Sequence, residues 1–349
     1  MRRFLAMLFM VVVLAFLAAC ANTQTPAATP TISTSNEQAE QAEQTEQDGQ
    51  SQTEPAPAAI TDISEEYFTI TDFSGVELRI PSNIETIVSI MPSNTEILVG
   101  LGFGEKIIAT DVFSADVAGI AAEIAVLSAD NIDMEYIISI NPDIVIASDM
   151  LRFTEDNPLA PLTAVGIAVV YVPISSTISE IQRDIRFLGE IMSATAAAEN
   201  IINEMNALIT EISLIAENIA APRTVYLEIE AAPFMFSVGN GVFLHELLET
   251  AGAINIFADQ NGWVSVTDEI LLVANPDVII TNVSWLDDPI AEIAARPGWE
   301  VLSAVQNGQI FQIDTNASSR PTQNITLALL ELAAAIYPEY FSAESTQSP

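Results

Sequence analysis

The sequence predicts an α/β fold of two similar lobes with parallel-type sheets, joined by one long helix. The main observation is an internal repeat: residues 131–148 read NIDMEYIISINPDIVIAS and residues 265–282 read SVTDEILLVANPDVIITN. Each copy has the pattern of a helix, an Asn-Pro-Asp turn and a short β-branched strand, because proline cannot continue a helix. Two copies predict two lobes of one design, and a long helical pattern between them predicts the connection.

Short, continuous apolar runs predict the strands of both lobes. Runs of this kind suit parallel sheets that are covered on both faces. The predicted strands are Thr86–Ile90 and Ile144–Ala147 in the first lobe and Thr224–Glu228 and Val278–Thr281 in the second. A helix is predicted after the first strand, where Ser93 and Glu96 have the Ser-x-x-Glu pattern of a capping box.

The helical stretch between the lobes runs from Ser176 to Ala220 and is predicted to break near Ser193. From about Ala196 the apolar residues keep helical spacing; they are Ile201, Ile202, Met205, Leu208, Ile209, Ile212 and Ile215. A helix of about 24 residues spans about 36 Å, which is enough to cross from one lobe to the other. Pro222 is predicted to end it.

The amino terminus has the pattern of an export signal. Arg2 and Arg3 precede an apolar run, Phe4–Leu17, that is short for a membrane span, since a spanning helix needs about 20 residues. The four residues that end at Cys20, the only cysteine, resemble a bacterial lipobox. That resemblance implies a lipoprotein signal peptide at 1–19 and a lipid on Cys20. An ordinary secretory signal with a chance cysteine is the alternative.

Residues 20–59 are rich in Gln, Glu, Thr, Ala and Pro and contain no basic residue. Such a segment buries too little apolar surface to fold, so we predict a disordered acidic tether after the lipidated cysteine. The rest of the chain is predicted to comprise an N-terminal lobe (60–175), connecting helices (176–222), a C-terminal lobe (223–342) and a tail (343–349).

Composition excludes several classes of protein. The formal net charge of −37 disfavours nucleic acid and anionic lipid surfaces as partners. His245 is the only histidine, which argues against a zinc or manganese site; we predict a core or surface role for it and no metal site. No enzyme is predicted, and no catalytic residue, because the chain lacks a reactive cysteine, a His-Asp pair near a candidate serine and a glycine-rich phosphate loop.

Five stretches along the folded part carry a resemblance to a known family: IVSIMPSNTEILVGLGFGEKIIATD, NPDIVIA, FLHELLETAGAINIFAD, GWVSVTDEILLVANPDVII and RPGWEVLSAVQNGQIFQID. The chain resembles the solute-binding proteins of ABC importers for cobalamin and ferric siderophores. The resemblance implies the class III periplasmic-binding fold, with the ligand between the lobes. It also implies a monomer on the outer face of the cell membrane, whose partners are an ABC permease and its ATPase.

The resemblance assigns a role to Glu135 and Glu269, which occupy the same position of the two repeat copies. In the family a glutamate at this place in each lobe docks on arginines of the permease. Two carboxylates far apart on one body must both fit, which sets the orientation of docking. The alternative is that both are ordinary solvated glutamates of a very acidic chain.

Six further residues are candidates for ligand binding. Phe113, Phe236 and Trp263 match pocket aromatics of the family, and Trp285 follows the second repeat strand, where ligands of α/β proteins tend to lie. The faces of these rings would bind a flat macrocycle; the alternative is that they only pack. Arg320 matches a cleft arginine of the family and Arg152 follows the first repeat strand; local salt bridges are the alternative for both.

The predicted function is capture of a metal chelate and its delivery to a permease, with no covalent cofactor besides the lipid. A corrinoid is the first expectation, because few basic residues suit a neutral or cationic chelate; a ferric siderophore is the second. A haem-binding importer component, or a surface receptor or sensor on the same fold, is the alternative.

Overall fold

The computed structural model describes residues 66–128, 132–153 and 157–341. The predictions for the signal peptide, for Cys20, for the tether and for the tail at 343–349 lie outside these residues. Within them, no helix combines the length and the apolar character that a membrane span requires. All of the described residues belong to one compact unit, Asp62–Pro349.

The first lobe is a five-stranded parallel sheet preceded by an antiparallel hairpin. The hairpin consists of β1 (Tyr67–Thr71) and β2 (Glu77–Pro81). The sheet has the order β5-β4-β3-β6-β7, with β3 (Ile87–Ile90), β4 (Ile107–Asp111), β5 (Ala125–Leu127), β6 (Ile144–Ser148) and β7 (Ala168–Val172). Its helices are α1 (Pro92–Gly100), α2 (Met134–Ile140) and α3 (Ala160–Ala164).

The second lobe has a four-stranded parallel sheet of order β10-β8-β12-β13 and an antiparallel ribbon of β9 and β11. Its strands are β8 (Thr224–Glu228), β9 (Phe236–Val238), β10 (Ile254–Asn255), β11 (Trp263–Ser265), β12 (Val278–Thr281) and β13 (Ile310–Gln312). Its helices are α6 (Phe243–Thr250), α7 (Asp268–Ala274), α8 (Pro289–Ala294), α9 (Ser303–Gln306), α10 (Thr315–Ser319) and α11 (Ile325–Ile336).

Two helices, α4 (Ile178–Ile191) and α5 (Thr195–Ala216), connect the lobes. The predicted break is confirmed, since Ser193 has a left-handed φ of 54°. Helix α5 packs on α4 and on α6 and α11 of the second lobe, and its 22 residues span about 33 Å. The prediction for Pro222 is wrong: α5 ends at Ala216, several residues earlier, so the proline lies in the loop that follows.

The capping box predicted at Ser93 and Glu96 is also wrong. Helix α1 begins at Pro92, one residue before Ser93, and no side chain caps it. Pro92 suits the first helical position because its missing N–H has no helical partner there. Ser93 therefore lies inside the helix, and the carboxylate of Glu96 is free to bind elsewhere. The true capping box of the connection is Thr177 with Glu180, at the start of α4.

The repeat folds in the same way in both lobes. Asn141 and Asn275 end helices α2 and α7 in the left-handed conformation, both with a φ of 45°. Oδ2 of Asp143 accepts hydrogen bonds from the backbone N (2.8 Å) and Oγ1 (2.9 Å) of Thr86. Oδ2 of Asp277 accepts the same pair from Thr224, both at 2.8 Å. The turns thus fix β6 beside β3 in the first lobe and β12 beside β8 in the second.

The cores lie where the apolar strands predict them. Every residue of β6 and of β12 is buried, as expected for strands covered on both faces. In the second lobe Tyr226 lies edge-to-face against Trp299 and Phe257, with ring centroids 6.3 Å apart in each pair. The indole N–H of Trp299 donates to Oδ1 of Asp268 at 2.8 Å, which ties the start of α7 to the core.

Candidate functional site

The lobes contact each other through segments that follow the carboxyl ends of their strands. Glu96 lies in α1, directly after β3, and Arg320 lies after β13 and α10. Nη1 of Arg320 donates to Oε1 of Glu96 at 2.7 Å. Thr322 and Asn324 donate to the other oxygen of Glu96, both at 2.8 Å. We call the region between the carboxyl ends of the two sheets the cleft, because ligands of open α/β proteins lie at such ends.

Arg320 is therefore a bridge between the lobes. Its Nη2 also donates to the carbonyl oxygen of Phe113 (2.9 Å) and to Oδ1 of Asp116 (2.8 Å). Burial alone would lower the pKa of Arg320, but the hydrogen bonds with Glu96 and Asp116 raise it above its usual range. The side chain is 12% exposed. The salt bridges weighed as an alternative at this position are present, so its charge is largely neutralised.

Arg152 is paired as well, at the hairpin of the first lobe. Its Nη1 lies 2.6 Å from Oδ2 of the buried Asp72, and its guanidinium lies 5.4 Å from the ring centroid of Tyr171. Burial would raise the pKa of Asp72, but hydrogen bonds from Val76, Ser74 and Arg152 hold it below the usual range. The cavity beside this pair has a volume of about 120 Å³, which is small for an organic ligand, since such pockets span roughly 300–1,000 Å³.

Two of the predicted aromatic residues share one face of the ribbon of β9 and β11. Trp263 lies opposite Val238, and Phe236 lies opposite Ser265. Residues two apart on a strand point to the same face, so Trp263 and Phe236 are diagonal neighbours. Trp263 is 40% exposed, an unusual position for so large an apolar side chain. The ribbon thus presents an aromatic surface.

A third aromatic residue, which was not predicted from the sequence, lies beside the ribbon. Phe234 is 63% exposed and lies two residues before Phe236. The sequence signal for it is the run APFMF, in which Phe234 and Phe236 are two residues apart.

Phe113 and Trp285 follow strands β4 and β12 at their carboxyl ends. The backbone N of Phe113 donates to Oδ1 of Asp111 at 2.7 Å, and its carbonyl oxygen accepts from Arg320. Burial raises the pKa of Asp111 despite hydrogen bonds from Ser114 and Phe113. Trp285 is half-buried. The structure thus brings Phe113 to Arg320 and Phe236 to Trp263, while Arg152 lies with the hairpin.

A buried cluster of charges at the carboxyl end of β8 is the main feature that the sequence analysis missed. Arg296 donates from Nη1 (2.5 Å) and Nη2 (2.8 Å) to the two carboxylate oxygens of Glu228, and from Nη2 to Glu292 (2.5 Å). The side chains of Arg296 and Glu228 are 6% and 1% exposed. The guanidinium lies 4.5 Å from the ring centroid of Trp299. Burial raises the pKa of Glu228 against these hydrogen bonds.

Glu230 extends this cluster towards the ribbon. Its backbone pairs with Phe236. Burial and the neighbouring charge of Glu228 raise the pKa of Glu230 to about 7. The wall of the second lobe therefore combines a fixed ion cluster with a carboxyl group that titrates near neutral pH.

Glu135 and Glu269 lie on α2 and α7, at the same position of the two copies. Both are exposed. A backbone N–H at its own position and the hydroxyl of Thr267 lower the pKa of Glu269, so it is anionic at neutral pH. Neither side chain is part of the core, so each is free to contact a partner.

His245 has a core role, as expected. It is 4% exposed, and its Nδ1 lies 3.2 Å from the side-chain nitrogen of Asn255. Its Nε2 lies 3.5 Å from Glu249. Among the described residues, no group of three or more histidine, cysteine or acidic side chains could hold a metal ion.

A larger groove, of about 590 Å³, lies at the opposite end of the second lobe. Arg223, Asp277 and Gln309 line it, and each precedes a strand of the sheet. Because these are the amino ends of the strands, we do not assign the ligand to this groove.

Comparison with known proteins identifies the family. Residues 87–317 match the family model described as periplasmic binding protein. The chain belongs to the periplasmic binding protein family. This confirms the two-lobed α/β fold and the expectation of an extracytoplasmic, ligand-binding protein. The matched residues include both repeat copies, the connecting helices and Arg296.

Three similar proteins support the assignment to the periplasmic binding protein family. An uncharacterised ABC transporter substrate-binding lipoprotein of Bacillus subtilis (strain 168), YvrC, is 30% identical over 279 residues, which are 78% of this chain and 86% of that one. The vitamin B12-binding protein of Vibrio cholerae is 28% identical over 249 residues, with 69% and 85% covered. A crystal structure of a possible iron-binding (periplasmic solute-binding) protein from Staphylococcus epidermidis is 28% identical, with a TM-score of 0.65 and coverage of 73% and 99%.

Proposed function

We propose that this chain is the solute-binding component of an ABC importer, which captures a metal chelate in the cleft and delivers it to the permease. The observation that carries the proposal is the recurrence of an exposed glutamate, Glu135 and Glu269, at one position of both lobes. The substrate-binding lipoprotein of Bacillus subtilis supports it. The protein would act as a monomer, held on the outer face of the membrane by a lipid on Cys20.

A corrinoid is the ligand that the cleft supports best. Trp263 and Phe236 offer adjoining aromatic faces for a flat macrocycle, and the vitamin B12-binding relative supports the same choice. Arg152 and Arg320 are both paired with carboxylates, so neither offers a full positive charge to a trianionic ferric catecholate. A neutral or cationic chelate avoids repulsion by the acidic chain.

A ferric siderophore of low charge is the second candidate. The similarity to the possible iron-binding protein of Staphylococcus epidermidis favours it. Haem is less well supported, because His245 is only 4% exposed and its Nδ1 lies 3.2 Å from the side-chain nitrogen of Asn255.

Titration of the purified lipoprotein with cyanocobalamin, a ferric hydroxamate and haemin tests the ligand. We expect heat and tryptophan quenching with cyanocobalamin at micromolar or lower concentration. Trp263→Ala should weaken that affinity by about 10-fold, since loss of a stacked ring costs on the order of 1 kcal/mol or more. Val165→Ser, an exposed residue on another surface, is the matched control. No response to cyanocobalamin, with saturable binding of the hydroxamate, would transfer the proposal to the second candidate.

A further inference from the structure

The outer helix of the second lobe exposes an unusual number of apolar side chains. Of the seven residues of α7, only Leu271 is buried. Ile270 and Leu272 are 40% and 39% exposed, and Val273 is 88% exposed. The helix therefore needs one apolar residue for its packing and carries three more that face solvent. An exposed apolar patch of this kind marks an interaction surface more often than scattered single residues do.

The apolar residues share a helix face with the glutamate. Residues three and four apart are neighbours on a helix, so Leu272 and Val273 adjoin Glu269. Helix α2 has the same arrangement: Ile138, 37% exposed, is three residues after Glu135, and its single buried residue is Ile137. We call these two surfaces, Glu135 with Ile138 and Glu269 with Leu272 and Val273, the paired docking faces.

The two faces differ at one position. The residue four after the glutamate is Val273 in the second lobe and Ser139 in the first, and both are exposed. Burying a valine side chain stabilises a complex, whereas a serine contributes little. The face of the second lobe therefore has more apolar area to bury in a complex.

The composition of the faces indicates the chemistry of the partner. A carboxylate that is anionic at neutral pH and is surrounded by apolar side chains is best matched by a cation set in an apolar surface, where the loss of water strengthens the ion pair. The recurrence of the pattern on both lobes requires a partner with two such sites. A dimer with two-fold symmetry provides them, because its subunits present the same surface twice.

We propose that the permease dimer binds the paired docking faces through their apolar residues as well as through the glutamates, and that the face of the second lobe contributes more of the binding free energy. This inference rests on the proposed function and names the part of the chain that the permease covers. The glutamates orient the complex, and Leu272, Val273 and Ile138 are desolvated in it.

The affinity of the purified lipoprotein for its permease–ATPase complex in lipid nanodiscs tests the inference. Val273→Ser should raise the dissociation constant about 5- to 10-fold, since it removes one apolar side chain that is buried in the complex. Leu272→Ser should do the same and Ile138→Ser somewhat less. Ser139→Val, the reciprocal substitution, should leave the affinity unchanged or strengthen it. Leu214→Ser, at a position 56% exposed on the connecting helix α5, is the control and should match the wild type.

The outcomes separate this inference from the proposed function. Wild-type affinity of the Val273, Leu272 and Ile138 variants would overturn the inference, if Glu135→Ala with Glu269→Ala still abolished binding. Unchanged affinity in the variant with both glutamates replaced, or no binding by the wild type, would overturn the proposed function itself. All substituted residues are exposed, and thermal unfolding of each variant should match the wild type.

Discussion

The two lobes share a scaffold but support the cleft in different ways. In the first lobe Asp111 ends β4 and accepts hydrogen bonds from its own turn, from Phe113 and Ser114. In the second lobe Glu228 ends β8 and is held by Arg296, which is buried with it. Removing one partner of a buried ion pair is strongly destabilising, whereas the turn of the first lobe is held by its own hydrogen bonds and by Arg320 from the second lobe. The comparison indicates that the wall of the second lobe is the more rigid of the two.

The largest expected effect on stability comes from removing Arg296, which holds Glu228 in the wall of the second lobe. Arg296→Ala leaves Glu228 buried without its partner and should lower the free energy of unfolding by about 3–5 kcal/mol. Urea denaturation measures it. Arg186→Ala is the matched control, because the pair of Arg186 with Glu199 is about half exposed and should contribute at most about 1 kcal/mol. Equal losses in the two variants would contradict the claim that the Arg296 cluster makes the wall of the second lobe rigid.

A smaller expected effect is the pH dependence of stability that Asp184 causes in the connecting helix α4. Burial raises the pKa of Asp184 in α4 to about 6, against hydrogen bonds from Ser175 and Arg183. The folded protein then binds this proton more tightly than the unfolded chain, whose aspartate pKa is about 3.9. The contribution of Asp184 to stability is therefore full below about pH 4 and is lost as pH rises through 6, by up to about 3 kcal/mol.

Asp184→Asn checks that sign. The free energy of unfolding of the variant should fall less than that of the wild type between pH 4 and 7. Glu190→Gln, an exposed residue of the same helix, is the control, because it removes a charge without removing a buried carboxyl. A steeper fall in the Asp184 variant than in the wild type would show that the buried carboxyl is ionised throughout this range.

The smallest stability effects test how similar the scaffolds are. Asp143→Ala should cost about 2 kcal/mol and Asp277→Ala about 1 kcal/mol, as expected for lost hydrogen bonds to a charged acceptor. The first value is larger because Asp143 also accepts from the backbone N of Glu85 at 2.8 Å, and because Asp277 is more exposed. A larger loss in the Asp277 variant would contradict the equivalence of the two turns.

Local patterns in the sequence predicted most of the scaffold. The strands and the Asn-Pro-Asp turns depend on neighbouring residues, so β8 and β12 have the predicted bounds and β3 and β6 are within one residue. The helix break at Ser193 depends on local residues too. The same reasoning failed for Glu96, because its side chain bonds to residues more than 200 positions away rather than to its own helix.

The candidate site was less predictable than the scaffold for the same reason. Residue type and resemblance indicated Arg152 and Arg320, but their partners, Asp72 and Glu96, come from distant parts of the chain. Glu292 and Arg296 are four residues apart, a spacing that indicates a local ion pair, but Glu228 lies in another element and periodicity carries no information on such a contact. The exposed faces of α2 and α7 became visible only once burial was known.

Uptake of radiolabelled cyanocobalamin by cells that lack this gene is the most direct test of the central claim, that the chain delivers a chelate to a permease through both lobes. We predict that the wild-type gene restores uptake. Glu135→Ala with Glu269→Ala should restore less than a tenth of it, although the purified variant binds the chelate with unchanged affinity. Uptake at the wild-type level with both glutamates removed, or loss of chelate affinity in that variant, would contradict the account.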